Sequence, residues 1–278
     1  MSKFTARNFE LPLGKKTYIM GILNITPDSF SDGGRYFDLD LAIKHIDEMI
    51  NDGVDIIDIG AMSTRPNSKR IDEDEEISRL VPVFEYLREK SYFEKYPISV
   101  DTFNVKTARV SLEYGAAIIN DVSGEINNDM LNLIREYNAG YIFMHARGLA
   151  ENIPDYPLGV VADVDKFFEQ AISAADNVGL KRTQICLDPG LGFGKNTAEN
   201  MQVLNAGKQL KREDIAYLVA LSRKRFIGDI SKIAEPEKRD EYSIVASLMG
   251  GGDMIRVHDV KNAVRIAKIF DDLRYYNG

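Results

Sequence analysis

Arg256-Val-His258 places a guanidinium and an imidazole two residues apart near the carboxyl end of the chain. Residues i and i+2 of a strand point the same way, so the two can meet one anion, and a planar guanidinium beside an imidazole suits phosphate oxygens. Ser222-Arg-Lys224 adds two cations, Arg223 and Lys224, although Lys224 also reads as a surface lysine opening a helix. In Asp188-Pro-Gly-Leu-Gly-Phe-Gly-Lys195 the glycines allow a backbone to approach a flat ligand closely. That segment is not a nucleotide cradle. Gly190 and Gly194 are separated by three residues where a P-loop has four, and Lys195 is followed by Asn196 instead of Ser or Thr. The stretch from Asn24 to Gly34 is too long and too rich in turn residues for a minimal connection and reads as a functional loop, while Ser63-Thr-Arg-Pro66 offers a hydroxyl and a guanidinium.

These groups need elements to position them. Eight strand-like runs alternate with amphipathic stretches: Thr17–Leu23, Val54–Ile59, Ile98–Val100, Ala116–Ile119, Tyr141–Met144, Gln184–Leu187, Ala216–Leu221 and Met254–Val257. Between them apolar residues recur at helical spacing, as in Ala42, Ile46, Met49 and Ile50, or Val164, Phe168, Ala171 and Ala175. Strands apolar on both faces and alternating with helices argue for a parallel sheet covered by helices, and eight units favour closure into a single-domain (β/α)8 TIM barrel spanning 1–278. Arg147–Val160 reads as a loop over the mouth, and Ile233–Gly252 as holding an extra or displaced helix before the last strand. Asp72 and Glu75 read as a capping box with a solvated acidic first turn, Asp72 to Glu76.

In such barrels chemistry sits where strands end. Those ends are Asn24, Asp58, Asp101, Asn120, His145, Asp188, Ser222 and Arg256 with His258, a polar ring; any one of them alone also reads as a cap for the next helix. His145 is not assigned by its surroundings in the sequence, His45 reads as structural or exposed, and Cys186, Met144 and Met249 read as core.

Composition bounds the function. The 278 residues carry 35 Lys and Arg against 43 Asp and Glu, a net charge of −8, the wrong sign for coating nucleic acid or an anionic membrane. One cysteine excludes an intrachain disulfide, three histidines with it exclude a Cys/His structural zinc site, and a reducing cytoplasm fits. No apolar stretch of signal-peptide or membrane-spanning length is present, so neither export nor spanning is expected.

Taken in order, Gly21-Ile-Leu-Asn-Ile-Thr-Pro-Asp-Ser-Phe-Ser-Asp-Gly-Gly34, Ser63-Thr-Arg-Pro66, Ser99-Val-Asp-Thr102, Ile118-Ile-Asn-Asp121, Met144-His145, Leu187-Asp-Pro-Gly190 with Phe193-Gly-Lys195, Ser222-Arg-Lys224 and Arg256-Val-His-Asp259 resemble the dihydropteroate synthase family over nearly the whole chain. The resemblance implies a (β/α)8 barrel, usually a homodimer, that joins 4-aminobenzoate to 7,8-dihydropterin-CH2-pyrophosphate and releases pyrophosphate with Mg2+ in folate synthesis, and that is a target of sulfonamides. It places the pterin among Asp101, Asn120, Asp188 and Lys224, with Met144 against the ring. Asn24, Arg256 and His258 would hold the pyrophosphate, with Asn24 also near Mg2+. Thr64, Arg65, Pro66, Phe193 and Ser222 would line the aminobenzoate site, and Asp28, Phe30 and Arg65 would belong to loops that order around the reacting centre. The catalytic set so implied is Asp101, Lys224, Arg256 and His258.

The chain departs from the family's pattern at Met62, where an acid is common, at Asn67 and Ala220, where glycine is usual, and at Ala146-Arg147. None of these removes an implied pterin or pyrophosphate ligand. Two other readings stand beside the synthase: a noncatalytic pterin-binding paralogue, and the related methyltetrahydrofolate-corrinoid methyltransferase barrel, which needs no pyrophosphate clamp.

Overall fold

The computed structural model describes residues 2–25, 39–62, 71–147 and 154–275. An antiparallel hairpin, β1 (Lys3–Ala6) and β2 (Phe9–Pro12), precedes a closed barrel of eight parallel strands. These are β3 (Tyr18–Asn24), β4 (Ile56–Gly60), β5 (Ile98–Asp101), β6 (Ile118–Asp121), β7 (Gly140–Met144), β8 (Ile185–Asp188), β9 (Ala216–Val219) and β10 (Met254–Val257), with β10 closing onto β3. Every strand expected from the sequence begins and ends within two residues of its observed bounds. Around the barrel run α1 (Leu39–Asn51), α2 (Glu73–Glu89), α3 (Tyr92–Lys95), α4 (Val105–Tyr114), α5 (Asn128–Glu136), α6 (Val160–Asn177), α7 (Thr197–Asn205), α8 (Gly207–Leu210), α9 (Arg225–Ser231), α10 (Asp240–Met249) and α11 (Val260–Arg274). The extra helix expected within Ile233–Gly252 is α10, led by a 3₁₀ turn at Pro236–Arg239. Among the described residues no helix is long and apolar enough to cross a membrane.

Side chains alternate across each strand, and the two faces do different work. Outward residues such as Ile57, Val100, Ile119, Leu187, Val219 and Ile255 join the helix stripes, Ile46, Leu80, Phe84 and Phe168 among them, in one apolar shell. Inward residues near the strand starts, Met20, Ile56, Ile118, Ile142, Cys186, Leu218 and Met254, form a second core with Phe4 and Ala6 of the hairpin. The hairpin thus plugs the amino-terminal end of the barrel. A Cβ at Gly140 would stand 2.5 Å from Phe4 Cζ, so only glycine there lets the plug seat. The sequence reading did not foresee this hairpin.

Two residues farther along, the inward positions turn polar. Asp58 follows Ile56, Asp101 follows Ser99, Asn120 follows Ile118, Asp188 follows Cys186, and Arg256 follows Met254. The alternation that fills the lower barrel with hydrocarbon therefore delivers acids, an amide and a guanidinium to the carboxyl-terminal mouth.

Three expectations need correction. The cap on α2 forms, Asp72 accepting from the Glu75 amide at 2.8 Å, but the acidic turn is not all solvated. Glu76 is fully buried, its Oε2 accepting from Thr107 Oγ1 at 2.7 Å and Asn104 Nδ2 at 2.8 Å on α4. Met249 is not core: it is 76% exposed. Of Arg147–Val160, expected as a loop, residues 148–153 lie outside the described residues, 154–159 carry no helix or strand, and Val160 already opens α6.

Candidate active site

Arg256 is the hub of the mouth. Its Nε donates to Asp58 Oδ2 at 2.6 Å and its guanidinium reaches Asp101 Oδ2 at 3.0 Å. Asp58, fully buried, also accepts from Ser99 Oγ at 2.6 Å and from Asn120 Nδ2 at 3.3 Å, so strands β4, β5, β6 and β10 meet in one hydrogen-bonded set. Among the described residues Asn120 Oδ1 is buried without a partner. A buried amide oxygen left unpaired is costly unless a ligand N–H satisfies it, and here it points to a heterocyclic donor. Burial pushes Asp101 up to about 7; Arg256 opposes this, while the nearby carboxylates Asp58, Glu76 and Asp121 reinforce it.

The second half of the mouth comes from β8 and β9. Burial raises the Asp188 carboxyl, with Lys224, the Gly190 amide, Lys195 and Arg256 opposing. Burial pulls Lys224 down to about 8, against the pull of Asp188 and Asp101. Lys224 donates to the Leu191 carbonyl, and its ammonium sits 4.6 Å from the centre of the Phe193 ring, a cation–π contact. Met144, buried, is the register partner of Asp188 on the next strand. Ser222 Oγ and His258 Nδ1 lie 2.8 Å apart, and the same hydroxyl accepts from the His258 amide at 3.1 Å. A Cβ placed on Gly60 would stand 3.8 Å from Asn24 Oδ1 and 3.4 Å from Asp101 Cβ, so Asn24 and Asp101 adjoin across Gly60.

The structure therefore gathers Asn24, Asp101, Asn120, Asp188, Lys224 and Arg256 at one mouth, and brings Ser222 to His258 and Phe193 to Lys224. Asp28, Phe30, Thr64, Arg65, Pro66 and Asn67 lie outside the described residues. Arg223 does not join the cations: its guanidinium makes a two-point pair with Asp240 of α10, at 2.9 and 2.8 Å. The glycines after Asp188 also have a use within the protein. Gly190, Gly192 and Gly194 all have positive φ, a Cβ at Gly190 would collide with the His145 carbonyl, and one at Gly192 would stand 2.7 Å from Lys224 Cδ. At Gly190 and Gly192 the missing side chain allows close approach of neighbouring protein. Met62 is half-buried, and the described contacts give no reason for its departure from an acid.

Two functional groups escaped the sequence reading. Asp58 stood in the polar ring without a role, although it holds both Arg256 and Asn120. Lys195 stood in a quoted motif, yet it is buried and bonded to His145. Only strand-end position hinted at the first, and nothing in the sequence at the second.

A closed (β/α)8 barrel with buried acids, an unpaired amide acceptor and held cations at its carboxyl-terminal mouth is a barrel enzyme built for a polar ring bearing an anionic group. Residues 20–258 match the model of the pterin binding enzyme family, and the chain belongs to that family. It is 39% identical over 267 residues to the dihydropteroate synthase of Clostridium beijerinckii, with 94% of this chain and 96% of that protein covered. The structure of Xanthomonas albilineans dihydropteroate synthase with 4-aminobenzoic acid aligns with a TM-score of 0.90 at 34% identity, over 99% of each chain. Burkholderia cenocepacia dihydropteroate synthase complexed with 7,8-dihydropteroate aligns with a TM-score of 0.86 at 32% identity, over 98% of this chain and 96% of that one.

Proposed function

We infer that the chain is a dihydropteroate synthase, joining 4-aminobenzoate to 7,8-dihydropterin-CH2-pyrophosphate to give 7,8-dihydropteroate and pyrophosphate. The observation that carries this reading is the Asp58–Arg256–Asp101 arrangement beside the unpaired Asn120 oxygen: groups for a nitrogen heterocycle and a cation for its anionic arm share one mouth.

A pterin offers an N–H beside an exocyclic amine, a donor pair that Asp188 accepts, while Lys224 leaves Leu191 to donate to ring acceptors. Asn120 Oδ1 takes a further ring N–H. The aryl amine is neutral and nucleophilic at pH 7, so its nitrogen attacks the methylene carbon without an enzymic nucleophile, and it sheds a proton once the C–N bond has formed. The difficult event is breaking the C–O bond to pyrophosphate. Ring electrons support the exposed methylene in a loose, cation-like transition state, the Asp101 carboxylate stands beside the charge that develops, and Arg256 with His258 receives the departing diphosphate. Phe193 and Ser222 serve the aminobenzoate side, to which the family resemblance also assigns Thr64, Arg65 and Pro66. Sulfonamides, as aminobenzoate mimics, compete there.

Mg2+ suits the Asn24 amide oxygen, a hard donor beside Asp101, since this ion is commonly held by one or two protein oxygens together with substrate phosphates. When bound it supplies neutralisation of the leaving diphosphate. Mixing the protein with Mg2+ and both substrates is expected to release pyrophosphate and dihydropteroate in equal amounts, and chelation of Mg2+ is expected to slow both. Pterin binding without either product would favour the noncatalytic paralogue; methyl transfer to a corrinoid would favour the methyltransferase.

A homodimer fits the exterior, and the single buried cysteine suits a reducing cytoplasm. Tyr242, Val245 and Met249 line one face of α10, and Ile269 with Leu273 lines a face of α11, which packs beside it. Met249 is 76% and Leu273 78% exposed, an apolar patch of the kind that marks an interface. Sedimentation is expected to show a dimer for the natural chain and a folded monomer for the double variant Met249→Glu, Leu273→Glu. A monomeric natural chain would refute the interface.

A further inference from the structure

Among the described residues Lys195 is the lysine most withdrawn from solvent, and the reaction just described does not use it. It is 5% exposed, and its ammonium makes three short contacts: His145 Nδ1 at 2.9 Å, the Gly190 carbonyl at 2.9 Å and the Phe193 carbonyl at 3.2 Å. His145, itself 1% exposed, continues the line through Nε2 to Asp163 Oδ1 at 2.9 Å in the first turn of α6, where Arg147 Nε also reaches that oxygen at 3.1 Å. With Nδ1 accepting from lysine, Nε2 carries the imidazole proton and donates it to Asp163. The line thus runs from α6 across the end of β7 into the loop that joins β8 to α7.

That loop carries Phe193, whose ring lies under the Lys224 ammonium. Its other anchors include Tyr156, donating to the Gly194 carbonyl at 2.8 Å, Asn200, accepting from the Gly192 amide at 2.6 Å, and Lys224, donating to the Leu191 carbonyl. The Phe193 amide donates to the Gly190 carbonyl at 3.1 Å to close the turn, and the Lys195 side chain clamps the carbonyls at both of its ends, Gly190 and Phe193, from one ammonium. We propose that Lys195, braced through His145 against Asp163, is a positioning residue that sets where the Phe193 ring stands on the aminobenzoate side of the mouth. This rests on the synthase reading for the identity of the substrate, but not for the placement of the ring. Its acidity agrees with the geometry: burial lowers the ammonium to about 7, with Asp188 opposing, so a lysine held there is retained against a desolvation cost.

The test separates placement from turnover. In protein labelled with 4-fluorophenylalanine, the Phe193 resonance is assigned by its absence in Phe193→Leu. Lys195→Met is expected to move or broaden that resonance and to raise the KM for 4-aminobenzoate about tenfold, since misplacement of about 1 Å can cost up to about 10²-fold. The Kd for dihydropterin pyrophosphate, measured by calorimetry, stays within about threefold of the natural value, which a general loosening of the barrel would not allow. In the double variant with Phe193→Leu the two effects on KM are less than additive. Should Lys195→Met fail to fold, Asp163→Ala carries the test: it leaves the lysine in place, removes the oxygen that holds His145, and shifts the same resonance. An unmoved resonance in the folded variant, or additive effects, overturns the proposal. A natural chain that binds pterin pyrophosphate but makes no dihydropteroate refutes the synthase reading instead, and the fluorine resonance still decides the role of Lys195.

Discussion

Arg256→Ala is expected to lower turnover by about 10²–10³, the loss that follows removal of one preorganised donor to developing charge, equivalent to about 2.7–4 kcal/mol. The structure adds a second consequence. Arg256 is the cation between Asp58 and Asp101, at 2.6 and 3.0 Å, and its removal leaves buried carboxyls facing each other. Breaking a buried pair from one side typically costs about 3–5 kcal/mol, so the alanine variant is also less stable. The pH dependence has a definite sign. Asp101 already stands at about 7 against an ordinary 3.8, and Arg256 is the group that holds it down. A carboxyl whose value is raised by folding binds more protons folded than unfolded, so its unfavourable contribution grows as pH rises through that window. Without Arg256 the upper edge of the window moves higher, and the deficit in Tm relative to the natural chain should be larger at pH 8 than at pH 6. Arg256→Lys separates the two effects. It restores a positive charge and much of the stability, but a point charge cannot reproduce the two-sided contact, so turnover stays at least about tenfold down. Near-natural turnover in the alanine variant would remove Arg256 from the reaction.

The same arginine shows what a single sequence carries and what it does not. Its strand was legible because parallel strands buried on both faces leave short apolar runs, and its position was legible because the polar residue ending such a run falls at the barrel mouth. Its partners were not. Asp58 lies 198 residues away in the chain, and nothing local distinguishes an acid that fixes an arginine from one that caps a helix. Glu76 illustrates the converse: it reads as one more solvated acid until Thr107 and Asn104 of α4 are seen to enclose it. Met249 recurs at helical spacing with Tyr242 and Val245, yet that stripe faces outward, because periodicity reports that a face is apolar without saying what covers it. The β1–β2 hairpin escaped because strands of four residues give too short an alternation to read.

Asp188→Asn is expected to weaken binding of dihydropterin pyrophosphate by about 10²-fold or more while leaving the barrel folded, since charge-assisted hydrogen bonds contribute about 1.5–3 kcal/mol each. The fold survives because Asp188 Oδ1 accepts from the Gly190 amide at 2.7 Å, a bond that an asparagine carbonyl oxygen keeps. What changes is the other oxygen, which becomes an amide NH2 and meets the pterin's paired donors with a donor of its own. Lys224 enlarges the loss. Burial already lowers it to about 8, and the Asp188 carboxylate is the largest influence opposing that fall. With the carboxylate gone, Lys224 loses its proton at lower pH, and as a neutral amine it is a weaker donor to the ring. The deficit in pterin affinity should therefore widen between pH 7 and pH 8, where the natural chain changes less. Calorimetric titration at both pH values reads this directly. A variant that binds within about threefold of the natural chain at pH 7 would show that the heterocycle is gripped elsewhere, and a deficit that does not vary with pH would show that Lys224 takes no part in the grip.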